Sequence, residues 1–374
     1  MVFGSAAEER RIWFGLSQVS GLTPRKLWQL VEHLGSVRAV WEASPESLIR
    51  GGLSPAVVQR LVARRSQGFP VVPEMENLGI RVTTWADPEY PVLLRKIPDP
   101  PPVLYVRGRL VPEDDVAVAI VGARKASTYG KMVAEALACE LVQCGVTVVS
   151  GLARGIDGAA HRGALKGGGR TIGVLGCGVD VAYPPEHREL IAEVARGGAV
   201  ISEFPCGAPP LAHHFPMRNR IISGLSLGVV VVEGGERSGA LITADCALEQ
   251  GREVLAVPGS VLGEKSRAPH QLLKQGAKPV ERVEDILEEL HLPLSRPWKG
   301  EPVQVDPTDA RVLSCLTYEP KHIDEIVQEC GLESHLVAGV LLGLEVRGIV
   351  CQLPGKRFAR SPELPDVRSA RGDS

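Results

Sequence analysis

The 374-residue sequence is poor in aromatic residues, which make up 4% of it, and it carries almost no net charge. Because the same chain holds 41 glycines, we expect many tight turns and close backbone approaches rather than an aromatic-rich core. The formal net charge of −2 excludes a globally basic surface, so any binding of nucleic acid must depend on where individual cations lie. Hydrophobic residues make up 44%, which is enough for a sizeable core and excludes a mostly disordered or collagen-like chain.

Cysteine pairs and long apolar segments are also missing from the sequence. None of the eight cysteines belongs to a Cys-x-x-Cys pair, so we expect neither a disulfide framework nor a zinc site. The spacing of Cys206, His213 and His214 matches no common set of metal ligands, and we predict no metal or other cofactor. The sequence has no apolar run of about 18 residues and no signal-like N-terminus, so we predict no membrane contact and a cytoplasmic location.

Changes in pattern along the chain predict three domains. We expect a helical domain, an extended Rossmann-type domain, a linker, a winged helix and a disordered tail, at residues 1–78, 79–290, 291–305, 306–360 and 361–374. In the first domain, Thr23-Pro24 and Ser54-Pro55 each mark a helix start. The preceding glycine turns resemble helix-hairpin-helix or SAM-like units. They leave two interpretations open, a contact with the DNA backbone or an ordinary docking domain.

The middle of the chain alternates short apolar runs with helical segments. The runs "VAVAIVG", "VTVVSG", "RTIGVLG" and "LGVVVVEG" are rich in valine and isoleucine, end in glycine and are each followed by a helical pattern. Strands of this kind belong to parallel sheets that are covered on both faces. We therefore predict an α/β fold with a doubly wound, mostly parallel Rossmann-type sheet, in which ligands bind outside the carboxyl ends of the strands.

Glycine-rich loops that follow these strands are candidate anion sites. After the first strand, Gly122 permits close approach and Arg124 offers a fixed charge for a phosphate, although neither a Gly-x-Gly-x-x-Gly motif nor a Walker lysine is present. The second loop offers three further residues, Ser150, Gly151 and Arg154, and the loop after "VVVVEGG" offers Ser238 and Gly239. These loops predict a phosphate-binding rim.

Two acidic positions near these loops have alternative interpretations. Asp157 and His161 are four residues apart and would share a helix face, which is compatible with an acid–base pair. We favour a structural role for them, in which the aspartate caps the helix and the histidine is hydrogen-bonded inside the fold. Glu233, at the end of the fourth strand, is either catalytic or an acceptor for a neighbouring amide.

The segment "HHFPMRNRIISG" is the densest cluster of candidate side chains. An aromatic ring beside cations is what single-stranded nucleic acid needs, since bases stack on the ring and phosphates pair with the cations. The cluster consists of Phe215, Arg218, Asn219 and Arg220. The alternative, which spacing alone favours, is that the phenylalanine packs in the core and the arginines pair within the fold.

The predicted winged helix lacks the basic charge that a domain needs to bind duplex DNA. Residues 306–360 contain six basic and eight acidic side chains, and the expected recognition helix has no lysine or arginine before Arg347. Readers of the major groove normally place basic side chains on that helix. We therefore predict a module for protein contact or self-association, with duplex binding as the alternative.

Several long motifs in a fixed order resemble those of the DNA-processing protein A family, also called DprA or Smf. They include "SGLARGIDGAAH", "GVLGCGVDVAYPPEH", "HHFPMRNRIISGLS" and "VVVVEGGERSGALITADCALEQGREVLAVPG", and the resemblance covers roughly residues 80 to 290. It implies a protein that binds single-stranded DNA, dimerises through the Rossmann-type domain and helps to load the RecA recombinase during natural transformation. By this resemblance the chain is a mediator and not an enzyme.

The resemblance also implies roles for individual residues. Arg124 is expected to contact a DNA phosphate, and the "FPMRNR" segment supplies Phe215, Arg218 and Arg220 to a DNA pocket, with Asn219 ordering the loop. Backbone amides are expected from Gly122, Ser150, Gly151 and Gly239.

The chain departs from the family pattern at several positions. Pro185 stands where some members have a lysine, and Ala212, His213 and His214 stand where a basic residue is expected. The stretch around Ala268 and Pro269 lacks a glycine that is common in the family. Arg154 and Arg188 are the candidates that replace the missing charge.

Two other functions remain as alternatives. The sheet also resembles that of nucleoside monophosphate phosphoribohydrolases, whose loop reads Pro-Gly-Gly-x-Gly-Thr-x-x-Glu. Here the stretch "EGGERSGALITAD" lacks the Gly-Thr pair and has Ile242 or Thr243 in place of the acid, so the general acid–base is lost. A nucleotide-sensing adaptor is the third possibility, and it would use the same glycine loops on a mononucleotide and keep Phe215 buried.

Overall fold

The architecture was determined from a computed structural model, which describes residues 6–68, 71–73, 75, 79–292, 306–317, 320–347 and 349–360. The predicted tail, 361–374, lies outside the described residues, as do residues 293–305 of the predicted linker.

The chain begins with a small helical domain. Its helices are α1 (Ala6–Ser17), α2 (Pro24–Leu34), α3 (Val37–Glu42), α4 (Pro45–Arg50) and α5 (Pro55–Ser66). The predicted starts are confirmed. Thr23 accepts a hydrogen bond from the backbone of Lys26, and a proline occupies the first turn of α2 and of α5, where its missing N–H costs nothing.

Tryptophans join the helical domain to the sheet that follows. The rings of Trp13, Trp28 and Trp85 lie 4.8 to 5.5 Å apart, and the Trp28 indole donates a hydrogen bond of 2.7 Å to the carbonyl of Pro100. Arg10 donates to the carbonyl of Val82, also at 2.7 Å. Three of the five tryptophans therefore lie at this junction.

The central domain contains nine strands in one sheet. They are β1 (Ile80–Thr84), β2 (Val103–Gly108), β3 (Ala117–Val121), β4 (Thr147–Ser150), β5 (Thr171–Val174), β6 (Ala199–Ser202), β7 (Gly228–Val231), β8 (Glu253–Ala256) and β9 (Lys278–Pro279). Their order is β1-β2-β6-β5-β4-β3-β7-β8-β9. All neighbours from β6 to β9 are parallel, whereas β1 and β2 add an antiparallel extension at one edge. The predicted mostly parallel sheet is confirmed.

Helices cover both faces of this sheet. They are α6 (Val92–Arg95), α7 (Thr128–Gln143), α8 (Ile156–Lys166), α9 (Arg188–Gly197), α10 (His214–Gly224), α11 (Gly239–Glu249), α12 (Arg267–Lys274) and α13 (Val283–Glu289). Alternate residues of β3 enter different cores. Val118 and Ile120 pack with α7, α8 and α13, whereas Ala119 and Val121 pack with α10, α11 and α12. Both faces of the sheet are therefore buried beneath helices, which explains the continuous apolar runs in the sequence.

The connections create a crevice at the carboxyl ends of β3 and β7. From β3 the chain crosses over α7 to β4 on one side, while β7 pairs with β3 on the other. In doubly wound sheets this change of direction leaves a gap where ligands bind. The loops that follow β3 and β7 therefore face each other across that gap.

The C-terminal part of the chain is a winged helix, as predicted. It consists of α14 (Pro307–Ser314), β10 (Lys321–His322), α15 (Ile323–Cys330), α16 (Ser334–Val346), β11 (Val350–Leu353) and β12 (Arg357–Arg360), with strand order β10-β12-β11. Its core holds Val312, Ile326, Val337, Leu341 and Phe358. Within the described ranges, no helix has the length and hydropathy needed to cross a membrane.

Candidate nucleic-acid interface

A pocket of about 590 Å³ occupies the crevice between β3 and β7. Its walls are the loop after β3, the loop after β7, the start of α8 and the facing sides of α10 and α11. Side chains from each wall reach it, among them Arg124, Asp157, Phe215, Arg218, Arg237 and Thr243. Of the predicted rim, the loops after β3 and β7 meet at this pocket, whereas Ser150, Gly151 and Arg154 do not line it.

Arg124 and Phe215 lie together at the pocket. The guanidinium carbon of Arg124 is 5.0 Å from the centroid of the Phe215 ring, a cation–π distance, and Arg124 is exposed. Tyr183 approaches the same ring, with 5.4 Å between centroids. Phe215 is half-buried in the first turn of α10, so it is neither a core residue nor a free side chain. The site therefore combines an accessible cation with an aromatic surface.

The backbone of Arg124 is held by the loop before α8. Gly155 has a φ of +79°, and a β-carbon there would overlap the carbonyl oxygen of Ala123. The amide of Ile156 donates to that same oxygen at 3.3 Å. Only glycine allows this close approach, which fixes the position from which the Arg124 side chain projects.

Arg218 is buried beneath the pocket with 4% of its surface exposed. It donates hydrogen bonds to the carbonyls of Gly151, at 2.7 Å, and Val174, and so ties α10 to the ends of β4 and β5. Burial lowers the pKa of its guanidinium to about 10, so Arg218 stays charged at neutral pH. Burial raises the pKa of nearby Asp157, and the positive charge of Arg218 opposes that rise. The two buried side chains therefore influence each other's pKa.

The remaining members of the "RNR" cluster bond within the fold. The Asn219 amide donates to the carbonyl of Gly239 at 3.2 Å, which links α10 to the start of α11. Arg220 is buried and pairs with Glu203 at 2.7 Å and Asp99 at 3.0 Å. Its side chain is not among those that line the pocket. The structure therefore gives Arg220 a role in joining α10 to neighbouring loops.

Small residues are required by close packing at three positions of the predicted rim, Ser150, Gly151 and Gly122. The Ser150 hydroxyl is buried and donates to the carbonyl of Ile120 at 2.6 Å. A β-carbon on Gly151 would overlap the Arg218 guanidinium, and one on Gly122 would lie 2.5 Å from the Ile156 side chain. Glycine is required at both positions because other groups already fill the space where a side chain would begin.

A buried carboxylate occupies the start of α7. One oxygen of Glu233 accepts the backbone N–H of Ser127 at 2.8 Å, and the other accepts the Ser127 hydroxyl. Dinucleotide-binding folds offer the N-terminus of this first helix to a pyrophosphate. Here the Glu233 carboxylate already accepts the hydrogen bonds that the N-terminus of α7 offers. The prediction that Glu233 is an acceptor for a neighbouring amide is therefore confirmed. The N-terminus of α11 faces the pocket, with Ser238 as its cap and Gly239 exposed.

Asp157 and His161 have separate partners. Asp157 accepts hydrogen bonds from the backbone of Gly151 and Ala153, whereas Nδ1 of His161 lies 2.8 Å from the Thr171 hydroxyl. Burial lowers the pKa of His161 to about 3, which keeps it neutral at physiological pH. The structural interpretation of His161 is confirmed, whereas the predicted cap is wrong, because Gly155 is the N-cap of α8 and Asp157 instead bonds to the loop that precedes the helix.

One residue of the pocket and one beside it were missed by the sequence interpretation. Arg237 is exposed on the loop after β7 and lines the pocket, and Tyr183 contacts Phe215. The position of Arg237 in a glycine loop after a strand was the available signal. Arg154 is paired with Glu186, and Arg188 is exposed at the first residue of α9. Across the residues that the structure describes, no group of three or more potential metal ligands is found.

The central domain and the winged helix match families of known proteins. The family model of DNA recombination-mediator protein A matches residues 81–291, and that of the DprA winged helix domain matches residues 297–356. Protein Smf of Synechocystis sp. is 35% identical over 396 residues, which cover 95% of this chain and all of that protein.

Two solved structures are also similar. The X-ray structure of DNA processing protein A from Streptococcus pneumoniae is 37% identical, with a TM-score of 0.65, and the match covers 75% of this chain and 97% of that one. DNA processing protein A from Helicobacter pylori, described for its single-stranded DNA binding mode, is 28% identical, with a TM-score of 0.51, over 56% and 96%. The chain therefore belongs to the DNA recombination-mediator protein A family, also known as DprA or Smf.

Proposed function

We propose that this chain binds single-stranded DNA at the β3–β7 pocket and helps to load RecA onto incoming DNA during natural transformation. The observation that carries the proposal is the pairing of an exposed guanidinium, Arg124, with an aromatic ring, Phe215, at 5.0 Å. Single-stranded DNA presents phosphates and unpaired bases together, and these two groups are complementary to both. The description of the Helicobacter pylori relative as a binder of single-stranded DNA supports it.

Some pocket residues would touch the DNA directly, and others hold those residues in position. We assign phosphate binding to Arg124, Arg237 and the start of α11, where the helix dipole favours an anion. Phe215 provides the stacking surface. Arg218 and Asn219 act indirectly, because their hydrogen bonds hold α10 against the neighbouring loops.

The charge that the family pattern lacks near Pro185 and Ala212 has a candidate source in Arg237. Arg237 lines the pocket, whereas the Arg154 side chain is engaged with Glu186. A salt bridge between exposed groups contributes little, so Arg154 remains able to exchange its partner for a phosphate. We rank Arg237 ahead of Arg154 for this reason.

A mediator changes no covalent bond, and the pocket chemistry fits that role. Among the described residues that line the pocket, Asp157 is the one carboxylate, and its oxygens face Arg218 and backbone amides. A phosphoribohydrolase would need an acid near Ile242 or Thr243, and neither side chain supplies one. The family relationship further supports a homodimer formed through the Rossmann-type domain, RecA as a partner and the cytoplasm as the site of action.

One titration tests the binding proposal. A fluorescent single-stranded oligonucleotide is titrated at about 50 to 300 mM salt, with a duplex of equal length as the control. Two or three phosphate contacts predict a fall in affinity of roughly 10- to 40-fold over that range, and the duplex should bind more weakly throughout. Equal affinity for both DNA forms would contradict the proposal. Release of ribose phosphate from a nucleoside monophosphate would support the enzyme instead.

The Phe215→Ala variant tests the stacking part separately. Loss of one stacked base costs about 1–3 kcal/mol, so affinity for single strands should fall roughly 5- to 150-fold. The Phe215→Tyr variant keeps a ring and serves as the matched control, with affinity close to that of the parent protein. Unchanged affinity in Phe215→Ala would show that the ring is only part of the fold.

A further inference from the structure

The helical domain is positively charged, although the chain as a whole is slightly acidic. Residues 6–68 contain nine basic and five acidic side chains, whereas the whole chain has a formal net charge of −2. Within this domain, the stretches 18–31 and 47–66 contain six basic side chains and no acidic one. The excess positive charge therefore lies on the segments that form most of α2, the end of α4 and all of α5.

Three exposed cations lie at the turn that joins α1 to α2. Arg25 and Lys26 belong to the first turn of α2 and are both exposed. Arg60 extends from α5 to the same turn, where its Nη1 donates a hydrogen bond of 2.9 Å to the carbonyl of Ser20. That nitrogen is also 3.2 Å from the point where a β-carbon on Gly21 would lie. Arg25, Lys26 and Arg60 are hereafter the α2 patch.

The charges of the α2 patch are not neutralised inside the fold. Among the described residues, Arg10 and Arg38 of this domain form ion pairs, whereas the cations of the α2 patch form none. The nearest acid along α2 is Glu32, six residues beyond Lys26, or about 9 Å along the helix axis. Thr23 already caps the N-terminus of α2, so the attraction for an anion comes from the side chains.

The helical domain is attached to the edge of the sheet that also carries the β3–β7 pocket. β1 is antiparallel to β2, and β2 is antiparallel to β6, so β1 runs in the same direction as β3 and β7. Trp85 follows the carboxyl end of β1 and contacts Trp13 and Trp28 of the helical domain. β1 and β3 are five strand spacings apart, roughly 24 Å. A strand of DNA that crosses this edge from the pocket toward β1 therefore meets the helical domain.

We propose that the α2 patch is a second phosphate contact for single-stranded DNA that is held in the β3–β7 pocket. The inference rests on the proposed function, since it extends the bound strand from the pocket to the helical domain. Exposed cations without a surrounding cavity suit a polyanion, which pairs with several of them at once. Because the pocket already holds the strand, contact with the patch is intramolecular and raises the overall affinity.

Charge reversal in the full chain tests this proposal. Arg25→Glu and Lys26→Glu are combined, and α2 should stay folded because acids favour the first turn of a helix and a glutamate at the third position completes a capping box with Thr23. Affinity is measured for single strands of about 4 and about 16 nucleotides, which span the usual site sizes. For the longer strand it should fall roughly 5- to 30-fold, since two exposed ion pairs are replaced by repulsion. The slope of log affinity against log salt should decrease in magnitude by about 1.4.

The shorter strand and a matched variant provide the controls. The shorter strand fills only the pocket, so its affinity should stay within about twofold at physiological salt, where distant charges are screened. Arg162→Glu combined with Lys274→Glu makes the same change in net charge at exposed positions of α8 and α12. This variant should bind both strands within about twofold of the parent chain.

The contrary outcomes separate this proposal from the proposed function. Unchanged affinity of the Arg25→Glu, Lys26→Glu variant for the longer strand would overturn the α2 patch alone, because the pocket has its own test in Phe215→Ala. An equal loss for both strand lengths, or an equal loss in the matched variant, would also overturn it. A parent chain that binds neither strand would overturn both proposals.

Discussion

The β3–β7 pocket and the α16 face, the outward side of α16 that exposes Leu336, Leu342 and Val346, occupy the places where their fold classes usually contact nucleic acid. Their surfaces are nevertheless opposite in character. The pocket carries exposed Arg124 and Arg237 beside a half-buried aromatic ring. The α16 face carries leucine, valine and glycine. A fold fixes where a contact can form, but the side chains decide what is contacted. The family relationship supports a DNA-binding protein, and the pocket is the surface for which we propose that role.

A second contrast lies inside the pocket region. Arg124 is exposed, Arg218 is buried against Asp157, and Arg220 is buried against Glu203 and Asp99. A charge that already has a buried partner has little left to offer a phosphate. Of these three neighbouring arginines, two hold parts of the fold together, and Arg124 is the one to which we assign binding.

The Arg218→Met variant should have the largest effect. Removing this cation leaves the buried carbonyls of Gly151 and Val174 without a donor and Asp157 without a nearby positive charge, which should lower the free energy of unfolding by about 2–5 kcal/mol. Denaturant titration measures the change, and affinity for single-stranded DNA should fall with it because the α10 contacts are lost. Adding Asp157→Asn should restore part of the stability. Normal stability with weak binding would instead make Arg218 a direct DNA contact.

The Arg124→Ala variant should affect binding without affecting stability. An exposed side chain changes the free energy of unfolding by no more than about 0.5 kcal/mol. Loss of a charge-assisted hydrogen bond to phosphate costs about 1.5–3 kcal/mol, or roughly 10- to 150-fold in affinity. The slope of log affinity against log salt should decrease in magnitude by about 0.7. Arg162→Ala removes an exposed arginine from α8 outside the pocket and should change neither quantity.

Deletion of residues 293–374 should have the smallest effect on binding of single strands. The deleted winged helix has more acidic than basic side chains, so its loss removes little attraction for phosphates. We expect the affinity to stay within about twofold of the full chain, measured at one fixed salt concentration. A large loss would place a DNA contact in the winged helix and would erase the contrast between the two regions.

Much of the fold was predictable because its signals are local. Valine- and isoleucine-rich runs such as 117–121 and 228–231 indicated buried parallel strands, and the Thr23-Pro24 start of α2 follows from capping preferences. The order of elements in the winged helix was also readable. The antiparallel extension of β1 and β2 was not specified, since pairing of β2 with β6 joins segments almost a hundred residues apart.

By itself the sequence determined where the strands and helices form, and it placed Arg124 and Phe215 near one rim. Only the tertiary structure decided which cations remain available. Arg218 is satisfied by a carbonyl 67 residues away, Arg220 by a carboxylate 121 residues away, and the start of α7 by a glutamate 106 residues away. Periodicity reports which face of an element is buried, but it carries no information about a distant partner. The charge available to DNA depends on those partners, because a buried ion pair neutralises a cation that the sequence counts as free.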